Sequence, residues 1–151
     1  MNLKYALRSE DTEQIAVVQW SKYQLNVHPE LKLLHHCPNG GSRNKAEAVK
    51  LKQMGVVAGI PDLHLPVPKG IYCGLYIEMK YGDGTIQKTQ REFLKAAADV
   101  GHFCVVCYGA EEAIEIIRQY VNLKPIDTGA GENRMKVSNK SILREGRVKP
   151  L

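Results

Sequence analysis

The chain has 151 residues, a length that predicts one domain or one domain followed by a tail. Hydrophobic residues make up 44% of it and charged residues 25%, proportions that exclude wholesale disorder. Its formal net charge is +5, and no apolar stretch approaches the ~18 residues that a membrane span requires. The N-terminal residues contain no apolar core of a signal peptide, so we expect a protein that acts in the compartment where it is made and has no membrane partner.

Helical and strand-like segments alternate along the chain, separated by clusters of glycine, proline and asparagine. Helices are predicted for residues 12–26, 43–54, 87–100 and 110–121, with Asp11 or Thr12 as the N-cap of the first. Strands are predicted for residues 31–37, 62–67, 75–80 and 103–108. This mixture indicates an α/β sandwich around a small central sheet.

The positive charge is concentrated at the C-terminus. Residues 1–122 hold 14 basic and 13 acidic side chains, whereas residues 123–151 hold 7 and 3. We therefore predict a folded domain over 1–122 and a basic, extended or partly disordered tail over 123–151. The tail could bind a polyanion such as nucleic acid, or it could be only a solubilising terminus.

The four cysteines are predicted to be reduced thiols in a chain without an export signal. Cys104 and Cys107 form a CxxC pair, but they lie on a predicted strand, where residues three apart point to opposite faces. No second CxxC completes a zinc site, so we interpret both as core residues.

The most informative motif combines two carboxylates and a lysine. Asp62 ends a Gly-Ile-Pro-Asp sequence, and Glu78-Met79-Lys80 begins 16 residues later. On a strand Glu78 and Lys80 share one face, and a hairpin would bring Asp62 beside Glu78. Two converging carboxylates suit Mg²⁺ or Mn²⁺, and the lysine suits a phosphate or an attacking hydroxide. A surface hairpin is the alternative, which the apolar flanking residues disfavour.

This arrangement, with Gln90 at the start of the following helix, resembles the PD-(D/E)xK nucleases. More specifically it resembles the virus-type replication-repair nuclease (VRR-NUC) domain, in its stand-alone phage-like form. The resemblance covers about residues 12–122. It implies a restriction-endonuclease-like PD-(D/E)xK core, in which helices flank a small mixed central sheet. The motifs that carry it, in order, are Glu13, Pro38-Asn39-Gly40-Gly41, residues 46–55, 59–65 and 74–80, Gln90 and residues 101–108.

The resemblance also implies roles for individual residues. Asp62, Glu78 and the main-chain carbonyl of Met79 would bind the divalent metal. Lys80 would position the water or steady the charge on the phosphate, and Gln90 would support the site by hydrogen bonding. Glu13 would contact the metal through water or support a second ion; an acidic residue that merely suits the first turn of a helix is the alternative.

Several other polar side chains are candidates for DNA contact. Asn39 and Ser42 offer hydrogen-bond donors for phosphate, and Arg43, Lys45 and Lys88 offer positive charge. Lys50 and Lys52 could extend this set or form an ordinary solvated helix face. Because few aromatic residues lie among these charges, we expect recognition of the DNA backbone and shape rather than base stacking.

Three histidines lie near these motifs in the sequence. His64 stands where the family more often has an apolar residue, and it shares a strand face with Asp62. It could contact substrate or support the site. His35 and His36 are adjacent, point to opposite faces and are interpreted as strand residues.

The resemblance thus predicts a metal-dependent endodeoxyribonuclease of a bacterial or phage-infected cytoplasm that acts in DNA repair. We expect a homodimer that cuts branched DNA, above all four-way (Holliday) junctions. A non-catalytic nucleic-acid-binding module on the same fold, or a nuclease that prefers flaps or nicked duplex, is the alternative. An iron–sulfur nuclease is disfavoured by the cysteine spacing.

Overall fold

The computed structural model describes residues 7–38 and 44–124. Four strands form one sheet in the order β1-β2-β3-β4, with the first two pairings antiparallel and the pairing of β3 with β4 parallel. The strands are β1 (His35–His36), β2 (Leu63–Leu65), β3 (Leu75–Lys80) and β4 (Phe103–Tyr108). The helices are α1 (Glu10–Tyr23), α2 (Lys45–Gln53), α3 (Lys88–Asp99) and α4 (Ala110–Val121), with a 3₁₀ helix over Pro29–Leu33.

The sheet separates two hydrophobic clusters because alternate strand residues point to opposite faces. The larger cluster lies under α1 and α4 and contains Leu75, Ile77 and Met79 of β3. The smaller cluster lies under α3 and contains Leu94 and Val106. This arrangement confirms the predicted α/β sandwich, in which helices flank a small mixed sheet.

The bounds of β3, β4 and α4 agree with the prediction residue for residue. Cys107 belongs to the cluster under α1 and α4, whereas Cys104 belongs to the cluster under α3. The two thiols therefore lie on opposite sides of the sheet, as the strand interpretation requires.

The prediction of a strand over residues 31–37 is wrong in its first half. Pro29 opens a 3₁₀ helix that runs to Leu33, and the N–H of Leu31 donates to the carbonyl of His28. Main-chain groups satisfied by these local bonds are not available to a neighbouring strand. Only His35 and His36 remain in the sheet, where they pair with β2.

The predicted start of the first helix is also wrong. Ser9, rather than Asp11 or Thr12, is the N-cap of α1, since its hydroxyl accepts from the N–H of Thr12. The side chain of Thr12 in turn accepts from the N–H of Ser9, which completes a capping box. The helix therefore begins at Glu10, and Glu10 belongs to its first turn.

The longest described helix, α1, has 14 residues. None of the helices in the described ranges is long and apolar enough to cross a membrane.

Candidate active site

Antiparallel pairing of β2 with β3 brings Asp62 to Glu78. Leu63, the first residue of β2, lies opposite Ile77 in the register. The preceding residue, Asp62, therefore faces Glu78 just before β2 begins. Oδ2 of Asp62 accepts a 2.7 Å hydrogen bond from the main-chain N–H of Met79. The carboxylate is thus fixed to β3 next to the Glu78 side chain.

Lys80 completes this group of side chains. Its Nζ lies 3.0 Å from Oε1 of Glu78, on the same face of β3. Glu78 and Lys80 retain only 2% and 7% of their exposed surface, respectively. Glu78 and Lys80 are therefore buried and paired, which rules out the alternative of a solvent-facing hairpin.

The pKa values of the two neighbouring carboxyl groups, Asp62 and Glu78, are raised by desolvation. Desolvation, followed by the charge of Asp62, raises the pKa of Glu78 to about 7. Desolvation also raises the pKa of Asp62, although the hydrogen bond from Met79 and the charge of Lys80 oppose the shift. A negative pair in this position is costly unless a cation joins it.

The main-chain carbonyl of Met79 is directed toward the same group. The carbonyl of Lys80 accepts from the N–H of Gly109, on the β4 side of β3. Successive residues of a strand direct their main-chain groups to opposite neighbours, and the N–H of Met79 already faces Asp62. The Met79 carbonyl consequently faces Asp62 as well.

Oxygen donors that could face a cation are therefore Asp62, Glu78 and the carbonyl of Met79. Within residues 7–38 and 44–124, no three side chains of His, Cys, Asp or Glu converge in a way that could hold a metal ion by themselves.

The structure places Gln90 in the capping box of α3. Its Oε1 accepts a 2.9 Å hydrogen bond from the N–H of Gln87, and in the described ranges it makes no hydrogen bond to Asp62, Glu78 or Lys80. The segment before Asp62 packs closely on this helix start. A Cβ at Gly59 would collide with the main-chain carbonyl of Thr89 and would lie 2.6 Å from the nitrogen of Gln90.

Glu13 contacts other partners. Its Oε1 accepts from Nε of Arg8 at 2.8 Å, and its Oε2 accepts from the N–H of Ala110 at 2.7 Å. The hydrogen bond from Arg8 is the main cause that lowers the pKa of Glu13. The carboxylate of Glu13 therefore satisfies the N-terminus of α4.

Glu10, in the first turn of α1, approaches Lys80. Its Oε1 lies 3.9 Å from Nζ of Lys80. Glu10 is not among the residues expected at the site because the sequence predicts a first helix that begins at residue 12. The Ser9 capping-box pattern, with Thr12 three residues later, is the signal that places Glu10 in the helix.

The candidates for DNA contact divide into two groups. Lys45 begins α2 and is exposed, as are Lys50 and Lys52. Lys88 begins α3, is exposed, and lies 3.8 Å from Glu92. Asn39, Ser42 and Arg43 lie outside the described residues, as does the chain from residue 125 onward.

The three histidines lie on β1 and β2, and one of them, His36, contacts Asp62. His64 pairs with His35 and Tyr76 on the neighbouring strands. Desolvation lowers the pKa of His64 to about 4, so its ring is neutral near pH 7. Nδ1 of His36 lies 2.7 Å from the main-chain carbonyl of Asp62, to which it donates.

A mixed sheet between helices, with this Asp and Glu-x-Lys group at one end, is a PD-(D/E)xK core. A family model of the VRR-NUC domain matches residues 4–111. A solved structure described as a VRR_NUC domain protein is 34% identical, superposes with a TM-score of 0.73, and the match covers 86% of this chain and 99% of that one. A comparison with curated proteins found no match. The chain belongs to the VRR-NUC family, which is a nuclease-type family.

Proposed function

We propose that the protein is a divalent-metal-dependent, structure-selective DNA endonuclease that hydrolyses phosphodiester bonds in branched DNA. The observation that carries this proposal is the buried pair of Glu78 and Lys80, 3.0 Å apart, beside the half-buried Asp62, in a chain of a nuclease-type family.

The donor set fits a hard cation. Carboxylate and carbonyl oxygens are the ligands that Mg²⁺ and Mn²⁺ prefer. Desolvation raises the pKa values of both Asp62 and Glu78, so a bound cation would favour their ionised forms. Asp62, Glu78 and the carbonyl of Met79 would hold the ion, which would stabilise the charge on the attacked phosphate when bound.

The remaining residues act on water and phosphate. Lys80 would hold the attacking water or the phosphate oxygens through its ammonium group, and Glu10, 3.9 Å away, adds a further carboxylate at this side. Gln90 would support the site from the start of α3. Hydrolysis would leave a 5′-phosphate on one product strand.

Basic residues on two helices would hold the DNA backbone. Lys45 and Lys88 are exposed at the starts of α2 and α3, and we propose that Asn39, Ser42 and Arg43 contact the same phosphates. The 7 basic residues of 123–151 would add salt-dependent affinity from a tail that follows the domain at 1–122.

We further propose a homodimer that cuts two strands of a four-way junction, in the cytoplasm of a bacterial or phage-infected cell and in the service of DNA repair. One chain carries one group of Asp62, Glu78 and Lys80. Two symmetry-related cuts are simplest with two such groups related by a twofold axis, and twofold dimers are the commonest oligomers.

A panel of substrates tests this proposal. Duplex, nicked duplex, flap, splayed and four-way DNAs, labelled on each strand in turn, are incubated with the protein in Mg²⁺, Mn²⁺ or EDTA. Light scattering measures the mass of the same sample. The expected result is metal-dependent paired cuts in the four-way junction by a dimer.

Other outcomes assign other functions. Preferred cutting of flaps or nicked duplex by a monomer would contradict the junction and dimer parts only. Tight DNA binding without cleavage in any metal would instead identify a non-catalytic binding module.

A further inference from the structure

A row of aromatic rings crosses the sheet beside the carboxylates. His35, His64 and Tyr76 are consecutive cross-strand neighbours on β1, β2 and β3. The His64 and Tyr76 rings are stacked, with centroids 4.2 Å apart and planes at 8°, and the His35 ring meets His64 edge-on at 5.1 Å. We call these three side chains the ring row.

The ring row lies two residues along β2 and β3 from the candidate metal ligands. His64 follows Asp62 by two residues, and Tyr76 precedes Glu78 by two, so all four share a sheet face. Two residues of a strand span about 6.6 Å. That separation suits a nucleotide next to the phosphate that the carboxylates would hold.

Only half of this face is covered by a helix. α3 packs on β4, and its Phe93 meets the Tyr76 ring edge-on at 5.4 Å. No helix in the described part of the chain makes an extensive contact with β1 or β2. The ring row therefore runs from a covered end at Tyr76 to an exposed end at His35, with His64 half-buried between them.

Contacts at both ends of the row orient its rings. Nδ1 of His35 donates to the carbonyl of Leu33 at 2.9 Å, which fixes its ring on the exposed edge of the sheet. His102 closes the inner end, with its ring centroid 5.2 Å from Tyr76. Rings fixed in advance lose little conformational freedom when a ligand stacks on them.

We infer that the ring row is a stacking subsite for one unpaired nucleobase next to the cleaved phosphate, with His35, at the exposed end, as its contact residue and His64 as the ring on which His35 packs. Aromatic side chains beside a backbone-binding site are the usual platform for unstacked bases. The inference rests on the proposed function and narrows its substrate to DNA with an unpaired or readily unstacked nucleotide at the cut. It also reverses the expectation, drawn from the sequence, that base stacking plays no part.

A double-mutant cycle, in which a nucleobase of the DNA and a ring of the protein are removed singly and together, tests the subsite by measurements of binding alone. An abasic nucleotide is moved through successive positions around the branch of a four-way junction and of a flap, and affinity is measured in EDTA. Removal of the stacked base should weaken binding to the wild type about fivefold or more at one position. His35→Ala should weaken binding to intact DNA by a similar factor and abolish the penalty at that position.

Two further variants separate stacking from packing. His64→Phe keeps an aromatic face and should keep the abasic penalty. Tyr23→Ala removes an aromatic ring that is 84% exposed on α1, away from the row, and should change neither value. Thermal unfolding of each variant verifies that the fold is retained.

Two results would overturn the subsite. Either no abasic position weakens binding to the wild type, or the penalty is as large in His35→Ala and in the His35→Ala/His64→Ala double variant as in the wild type. If the protein binds neither the intact four-way junction nor the intact flap, the proposed function itself is contradicted, and the subsite with it. If it binds them but the abasic penalty does not depend on His35 or His64, only the subsite is contradicted.

Discussion

The main-chain N–H of Met79 donates a 2.7 Å hydrogen bond to Oδ2 of Asp62, and this bond joins the strand that carries Glu78 and Lys80 to the segment that precedes β2. It closes the hairpin at the point where the ladder between β2 and β3 ends. Asp62 therefore has a structural role besides its proposed role as a metal ligand, and different substitutions can separate the two.

Asp62→Asn and Asp62→Ala should differ in stability but not in the loss of cleavage. Both remove the carboxylate charge, but only asparagine retains an oxygen that can accept from Met79. Loss of the acceptor leaves a partly buried N–H unpaired, so Asp62→Ala should be less stable than Asp62→Asn by about 1–2 kcal/mol. Urea unfolding in EDTA measures this difference, and equal stabilities would show that the bond contributes little.

The stability of the metal-free protein should fall as pH rises toward 7. The pKa of Glu78 is about 7 in the folded protein and 4.5 ordinarily, so between these values the folded state holds a proton that the unfolded state has released. The favourable contribution is complete below pH 4.5 and is lost as pH rises through about 7, about 3 kcal/mol in all.

Glu78→Gln isolates this contribution because glutamine does not titrate. Its unfolding free energy in EDTA should change less between pH 4.5 and 7.5 than that of the wild type. Parallel pH profiles for the two proteins would contradict the raised pKa of Glu78.

Glu13 and Glu10 should give opposite results when each is changed to alanine. Glu13→Ala removes the acceptor for the N–H of Ala110 and should cost about 1–2 kcal/mol of stability, with Mn²⁺ affinity unchanged. Glu10→Ala should leave stability nearly unchanged and should alter Mn²⁺ affinity or cleavage. Thermal unfolding and calorimetric Mn²⁺ titration measure the two effects. A loss of Mn²⁺ affinity in a stable Glu13→Ala protein would contradict a purely structural role and support Glu13 as a residue of the metal site.

Gly59→Ala should be more damaging than Gly55→Ala, although both glycines have positive φ, 80° and 97°. A Cβ at Gly55 meets nothing within 4 Å, so that variant bears only the backbone strain of about 1 kcal/mol. At Gly59 the Cβ collides with main-chain atoms of Thr89, so the cost should be about 3 kcal/mol or more, with a displaced start of α3. Equal losses in unfolding free energy would show that this close packing is not required.

Local sequence signals correctly predict the elements that have a clear apolar pattern and a glycine at a boundary. β4 and α4 are bounded by Gly101 and Gly109 and have clear apolar patterns, so their limits were correct. The predicted strand over residues 31–37 failed because Pro29 initiates local i→i+3 bonds, which an apolar run of similar length does not reveal.

The convergence of Asp62, Glu78 and Lys80 was predictable because it depends on one hairpin and on the alternation of strand residues. The contact of Glu13 with Ala110 joins positions 97 residues apart and has no local signal. The ring row likewise depends on the register of three strands, so the histidines could be noted in the sequence but not assembled into a site.

Cleavage of a strand-labelled four-way junction by the wild type and by Asp62→Asn, in Mn²⁺ and in EDTA, tests the central claim most directly. The wild type should cut in Mn²⁺ and not in EDTA, and Asp62→Asn, folded and able to bind the junction, should be at least about 100-fold slower. Equal rates for the two proteins, or cleavage by the wild type in EDTA, would contradict a metal-dependent active site at Asp62 and Glu78.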